Sequence, residues 1–239
     1  MDATVGAGYT PKRMTTKSRY AYDDEVCRPV GPFESPLRIM LLVYAIVAGV
    51  RALALSYGIF DPQMLTAEEI DTEDPASLIA GIASLVYIGL YLLGGLLFLA
   101  CAFLVGRFTY RAMRNLYTVR STTPEISPIG TVLWYFVPFA NLVMPANAMS
   151  QIHHGSIEET GSMNVSNLVS WWWGSWLAGN ILSNVGGWVM SSAIAAGIGI
   201  SVVAILLNVA AALTLRKLLH RIRTAQDGFT IRGLAGAFE

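Results

Sequence analysis

Four long apolar runs constrain this chain more than any other feature of its sequence. They cover residues 37–58, 78–106, 166–187 and 191–215, and each has about the 20 residues that a helix needs to cross roughly 30 Å of hydrocarbon. Only 13% of the 239 residues are charged, which is about half the share in soluble domains. The sequence therefore predicts an all-α integral membrane protein whose membrane domain extends over residues 37–218.

Charged residues are segregated along the chain, and their positions predict its orientation. Basic residues are enriched in the polar N-terminal tail (residues 1–36), directly after the second apolar run, and around the C-terminal tail (residues 219–239), whereas the loop at residues 61–77 is acidic. Positively charged segments remain on the cytoplasmic side of a membrane. We therefore expect both tails in the cytoplasm and a solvated acidic loop on the opposite side.

A fifth apolar run, residues 129–148, is interrupted by Pro138 and Pro145. Each proline removes a helical hydrogen bond and clashes with the preceding turn. A cytoplasmic C-terminus also requires an even number of crossings. We therefore predict four transmembrane helices plus a Pro-broken segment that re-enters the membrane or lies at its interface. Five transmembrane helices are the alternative, because the run is long enough to cross.

A few polar side chains lie within the apolar runs, where they are costly unless they find partners. Arg51 is expected either to reach toward Asp61 or a lipid phosphate, or to bind a specific anion. Asn180 and Asn184 are four residues apart, so they share a helix face that should turn inward. The predicted polar intramembrane cluster consists of Arg51, Asn141, Asn180, Asn184 and Asn208.

Other residues are predicted to lie at the membrane surface or between helices. Tryptophan prefers the head-group level, so the predicted interfacial anchors are Trp134, Trp171, Trp172, Trp173 and Trp176. Arg107, Arg111 and Arg114 share one helix face, which we expect against anionic head groups. Small residues of the last run, from Gly197 through Ser201 and Ala204 to Ala211, predict a helix-packing face, with a ligand-lining face as the alternative.

The sequence offers little chemistry for catalysis. His153 and His154 are the obvious metal candidates, but adjacent helical residues point about 100° apart and no third ligand lies nearby in the sequence. No nucleophile with a base at motif spacing and no phosphate-binding glycine loop occurs. We predict a protein that is not an enzyme, with no metal site and no cofactor. Cys27 and Cys101, one in the tail and one in the membrane, should not form a disulfide.

Several motifs resemble a known family. They are RAMRNL (Arg111 to Leu116), WYFVPFANLVMP (Trp134 to Pro145), NAMSQI and SWWWGSWLAGNI (Ser170 to Ile181). Together they resemble the bacterial membrane family called domain of unknown function 4328, although the chain departs from the family pattern at residues 143–146, Gln151 and His153. The resemblance implies a multi-span protein of the bacterial inner (cytoplasmic) membrane, and it implies no catalytic residues.

Two functions of different classes fit these observations. The first is a non-catalytic accessory or structural subunit of an inner-membrane assembly, in which amides and small residues join helices of a homo- or hetero-oligomer. The second is a small binding or transport module, in which the Pro-broken segment lines a cavity for a lipid, quinone or other amphiphile. The predicted partners are membrane lipids and other membrane protein subunits. Nucleic acid is not expected, because the net charge is zero.

Overall fold

A computed structural model describes residues 27–58, 74–119, 124–158 and 167–235, with side chains as far as Phe229. Every regular element in these residues is helical, which confirms the predicted all-α class. The helices are α1 (Gly31–Tyr57), α2 (Pro75–Val119), α3 (Gly130–Leu133), α4 (Met144–Glu158), α5 (Leu168–Met190) and α6 (Ile194–Ala235). Residues 1–26 and most of the acidic loop lie outside the described residues, so what was predicted for them stays a prediction.

The four long helices, α1, α2, α5 and α6, form an antiparallel bundle. α1 lies between α2 and α6, and α5 packs along α6. Small residues permit the close α5–α6 contact. A side chain at Gly179 would meet the Asn208 amide at 2.8 Å, and one at Gly197 would meet the backbone of Met190 at 2.5 Å. The small-residue face of α6 therefore packs on α5, as predicted from the sequence.

The two termini of the described chain lie at the same end of the bundle as α4. The Arg223 guanidinium of α6 donates to the Glu34 carboxylate of α1 at 2.9 Å, and the backbone N–H of Arg28 donates to the side-chain oxygen of Asn115 in α2 at 3.1 Å. α4 packs against the same parts of α2 and α6. This end of the bundle is called the α4 end below.

Three helices are long and apolar enough to cross a membrane, namely Gly31–Tyr57, Ser77–Val119 and Ile194–Phe229. The predicted fourth span, α5, has 23 residues but is not among them. Five tryptophans, four glycines, three serines and two asparagines reduce its apolar character. The helices also extend beyond the predicted spans, since α1 begins at Gly31, α2 continues to Val119 and α6 to Ala235. The predicted C-terminal tail is thus largely the end of α6.

The Pro-broken segment is a chain of short turns. α3 is followed by two 3₁₀ helices, Trp134–Phe136 and Ala140–Leu142, and Pro145 lies in the first turn of α4, where proline is tolerated. Between the two 3₁₀ helices Phe139 has a φ of 62°, which breaks the helical path. No helix within residues 129–143 is long enough to cross a membrane, so these residues do not form the fifth transmembrane helix of the alternative as one continuous helix.

A buried polar network joins three helices at the α4 end. The Gln226 amide donates to the Ser156 hydroxyl at 2.9 Å and to the Ala112 carbonyl at 3.0 Å, and it accepts a hydrogen bond from the Asn115 amide at 2.9 Å. Asn115, Ser156 and Gln226 are all less than 5% exposed. A satisfied network of this kind fixes the relative positions of α2, α4 and α6.

Candidate functional site

An apolar cavity of about 900 Å³ lies between the four long helices. Volumes of this size are at the upper end of the range of roughly 300–1,000 Å³ that small-molecule sites occupy. The cavity exists because α2 packs along α1 but makes few contacts with α6. Residues of α1 and of the Trp134–Phe136 turn also line the space.

The cavity walls come from all of these elements. α1 contributes Leu41 and Tyr44, and α2 contributes Cys101 and Val105. α6 contributes small residues such as Ala212. Four lining side chains, Phe98, Leu99, Phe103 and Phe136, are at least 43% exposed. The cavity therefore opens sideways along α2.

A tryptophan cluster forms the wall contributed by α5. The Trp173 and Trp176 rings stack with centroids 4.7 Å apart, and Trp172 lies 5.2 Å from Trp173. The Trp173 indole N–H donates to the Leu142 carbonyl at 2.7 Å. This hydrogen bond satisfies a backbone oxygen of the Pro-broken segment, as expected for a non-helical stretch packed against protein. It also fixes the turn against α5.

Two arginines line the cavity at its α4 end. Arg107 and Arg111 are one turn apart on α2. The Arg107 guanidinium carbon lies 5.3 Å from the centroid of the Phe33 ring. Among the described residues, no carboxylate lies within salt-bridge distance of either arginine. The cavity thus combines an apolar body with a positive end whose two arginines have no carboxylate partner in the described part of the chain.

The structure does not bring the five predicted members of the polar cluster together. Arg51 lies over the Tyr91 ring, 4.8 Å from its centroid. Asn180 and Asn184 are exposed, and each amide donates to the carbonyl four residues earlier in α5. This local bond satisfies one N–H of each amide without the side chain turning inward. Of the five, Asn208 alone lines the cavity, while Asn141 is half-buried in the second 3₁₀ helix.

The residues predicted at the membrane interface differ in how far they are exposed. Trp171 is 69% exposed, whereas Trp172 and Trp173 are at most 7% exposed, because their rings pack in the core beside the cavity. The structure therefore places these two rings in the protein core, and their level relative to a membrane surface stays a prediction. The half-buried Trp134 and Trp176 pack against the same core. Of the three predicted head-group arginines, Arg114 does not line the cavity, and its Nε is buried.

Several buried polar residues were missed from the sequence. Glu34 is fully buried and pairs with Arg223 at 2.9 Å, Arg38 at 3.3 Å and His220 at 3.6 Å. Asn115 lies inside the RAMRNL motif, so the motif could have drawn attention to it. Glu34 and Gln226 gave no such signal, since partners that bury them come from distant parts of the chain. Arg223 is 189 residues from Glu34, and Asn115 is 111 residues from Gln226.

The histidines and cysteines occupy different environments. His153 is fully buried in α4, and neither ring nitrogen has a hydrogen-bond partner among the described residues. Burial, together with the nearby His154 and Arg221, lowers the pKa of His153 to about 4. His154 is exposed. Cys27 and Cys101 are both free thiols.

Comparison with known proteins identifies one family. No curated protein and no solved structure matches the chain. The sequence profile of the domain of unknown function DUF4328 matches residues 66–224, roughly two thirds of the chain, from before α2 to the polar part of α6. This range contains most of the cavity wall but not α1. The chain belongs to the DUF4328 family.

Proposed function

We propose that this protein binds a membrane amphiphile in the cavity between α1, α2, α5 and α6. The observation that carries the proposal is the combination of about 900 Å³ of apolar space with a lateral opening along α2. In a membrane this opening faces acyl chains, so a ligand enters without crossing water. Of the two functions that the sequence suggested, the cavity favours the binding module over the accessory subunit.

The proposed topology is four spans, with α5 as the fourth. Its 23 residues correspond to about 35 Å of helix, enough for roughly 30 Å of hydrocarbon. Packing against the apolar α6 supports its insertion despite its polar residues. With an even number of spans, the α4 end is cytoplasmic by the positive-inside rule, and the Pro-broken segment lies at the cytoplasmic interface. The family resemblance supports the bacterial inner membrane.

The topology is tested by labelling single cysteines in a chain whose Cys27 and Cys101 are replaced by serine and alanine. A cysteine at Ser192, in the exposed turn between α5 and α6, should react with an impermeant maleimide in intact cells. A cysteine at the exposed Glu158 of α4 should react only after lysis. Protection of both positions in intact cells would contradict the proposed even number of spans.

Ligand binding is tested by tryptophan quenching with lipids brominated on their acyl chains. The chain has six tryptophans, and replacing Trp134, Trp171 and Trp188 with phenylalanine leaves the three that line the cavity. In vesicles of brominated phosphatidylcholine their fluorescence should be quenched, because quenching by bromine requires contact.

A matched pair of variants separates cavity lipid from surrounding lipid. Gly106→Phe with Ala212→Phe fills the cavity from opposite walls and should reduce the quenching. Gly95→Phe with Ala210→Phe adds the same rings at exposed positions of the same two helices and should leave it unchanged. Equal quenching in both double variants would refute lipid occupancy of the cavity.

The accessory-subunit function stays a prediction. Its support is the N-terminal half of α2, where large apolar side chains such as Ile79, Leu85 and Leu92 are at least 60% exposed. Acyl chains cover such a face as well as a partner helix does. The cavity needs a more specific explanation, and for that reason it carries the proposed function.

A further inference from the structure

We infer that the cavity ligand is a membrane phospholipid with a net negative head group, bound by Arg107 and Arg111. This inference rests on the proposed function, and it specifies the chemical class of the amphiphile. It selects against quinones, which carry no negative head group, and against zwitterionic lipids, whose phosphate is accompanied by a cation.

The first argument is the separation of apolar and charged parts along α2. The apolar wall from Phe98 to Gly106 extends about 12 Å at 1.5 Å per residue, close to the roughly 15 Å of one leaflet. Arg107 begins directly after it. A lipid whose acyl chain fills the apolar part therefore has its head group at the two guanidinium groups.

The second argument is uncompensated charge. The carboxylates that meet arginines among the described residues are Glu34, which pairs with Arg38 and Arg223, and Asp227, which pairs with Arg223. Neither Arg107 nor Arg111 has such a partner in this part of the chain. Arg107 is exposed and Arg111 is half-buried. Two such guanidinium groups one turn apart, beside an apolar surface, are suited to one phosphate, because arginine binds phosphate oxygens with paired N–H donors.

The third argument is the position of Phe33. Its ring lines the cavity and lies under the Arg107 guanidinium. A cation held over an aromatic ring loses some orientational freedom before any ligand arrives. Arg107 is thereby directed along the cavity wall instead of extending freely into solvent.

The test compares two brominated lipids with identical acyl chains, phosphatidylglycerol and phosphatidylcholine, titrated into the full-length protein in detergent micelles. The same three-tryptophan background reports occupancy. We expect phosphatidylglycerol to quench at about tenfold lower concentration, the difference that one charge-assisted contact typically produces. Arg107→Gln with Arg111→Gln should abolish this preference and retain quenching by phosphatidylcholine. Lys217→Gln, which removes an exposed positive charge of α6 outside the cavity, should retain the preference.

The outcomes separate the two proposals. If the protein with both arginines intact gives equal titration curves for the two lipids, the head-group inference is overturned. The proposed function still stands in that case if cavity filling reduces the quenching. Quenching by neither lipid, or quenching that cavity filling does not change, overturns both. A preference for phosphatidylglycerol that survives the double arginine variant overturns the assignment to Arg107 and Arg111. The comparison of lipids on the unsubstituted arginines needs no variant at these positions, so misfolding of the double variant does not prevent the test.

Discussion

His153 is predicted to make the stability of this protein depend on pH between about 8 and 4. The side chain is fully buried, its ring nitrogens have no hydrogen-bond partner in the part of the chain that the structure describes, and its pKa is lowered from 6.5 to about 4. The unfolded chain binds a proton at this residue more readily than the folded protein does. The contribution of His153 to the free energy of unfolding is therefore most favourable above pH 6.5. That contribution is lost as the pH falls from about 6.5 toward 4.

The magnitude follows from the pKa difference. Each unit corresponds to about 1.4 kcal/mol, so the loss is about 2 kcal/mol at pH 5 and about 3 kcal/mol at and below pH 4. For a chain of this size, about 2 kcal/mol corresponds to roughly 4–8 °C in Tm. His153→Leu removes the titrating group at similar volume, and it should be neutral or slightly stabilising at pH 8, because an unsatisfied buried imidazole is lost.

The assay is thermal unfolding in detergent, followed by circular dichroism at several pH values between 8 and 5. Carboxylates also titrate near the lower end of this pH range. The informative quantity is therefore the difference in Tm between the parent protein and each variant at the same pH. His154→Leu is the matched control, since its side chain is adjacent and exposed. We expect His153→Leu to lose less Tm than the parent over this range, and His154→Leu to follow the parent. If His153→Leu and the parent lose the same Tm, His153 does not titrate as argued.

Three further predictions concern packing and polar contacts, each measured by Tm at pH 8. Gly197→Leu should destabilise the protein by about 2 kcal/mol or more, because its side chain meets the backbone at the end of α5; Gly199→Leu, where nothing lies within 4 Å, should not, and equal effects would contradict the packing argument. Glu34→Gln should cost about 1–3 kcal/mol, since it removes the buried charge that joins α1 to α6; an unchanged Tm would show that this ion pair contributes nothing. Trp173→Phe should cost about 1 kcal/mol or more by leaving a carbonyl of the Pro-broken segment without its donor, and a more stable variant would refute this role.

Much of the architecture was predictable from local sequence. The apolar runs predicted the long helices, and Pro138 and Pro145 predicted the break between α2 and α4, because proline acts on its own backbone whatever surrounds it. The small residues of α6 predicted a helix-packing face but did not say which helix packs against it. The sequence prediction ended the apolar runs of α2 and α6 too early, because both helices continue through polar residues to Val119 and Ala235. Apolar residues such as Phe108, Ala112 and Leu116 recur at helical spacing beyond the predicted span, and all are buried at the α4 end.

The candidate site depended on contacts that the sequence does not contain. Whether Trp172 faces lipid or the core, and whether Asn184 turns inward, depends on how α5 is rotated against α6 and on what lies beside them. The cavity itself exists because α2 packs along α1 and makes few contacts with α6, a relation that includes helices far apart in the chain. The sequence by itself therefore determined an all-helical chain with helices long and apolar enough to span a membrane and a broken segment, since hydropathy and proline geometry are local properties. Only the tertiary structure decided which apolar side chains enclose space and which charges adjoin it, because enclosure is a property of helices packed together.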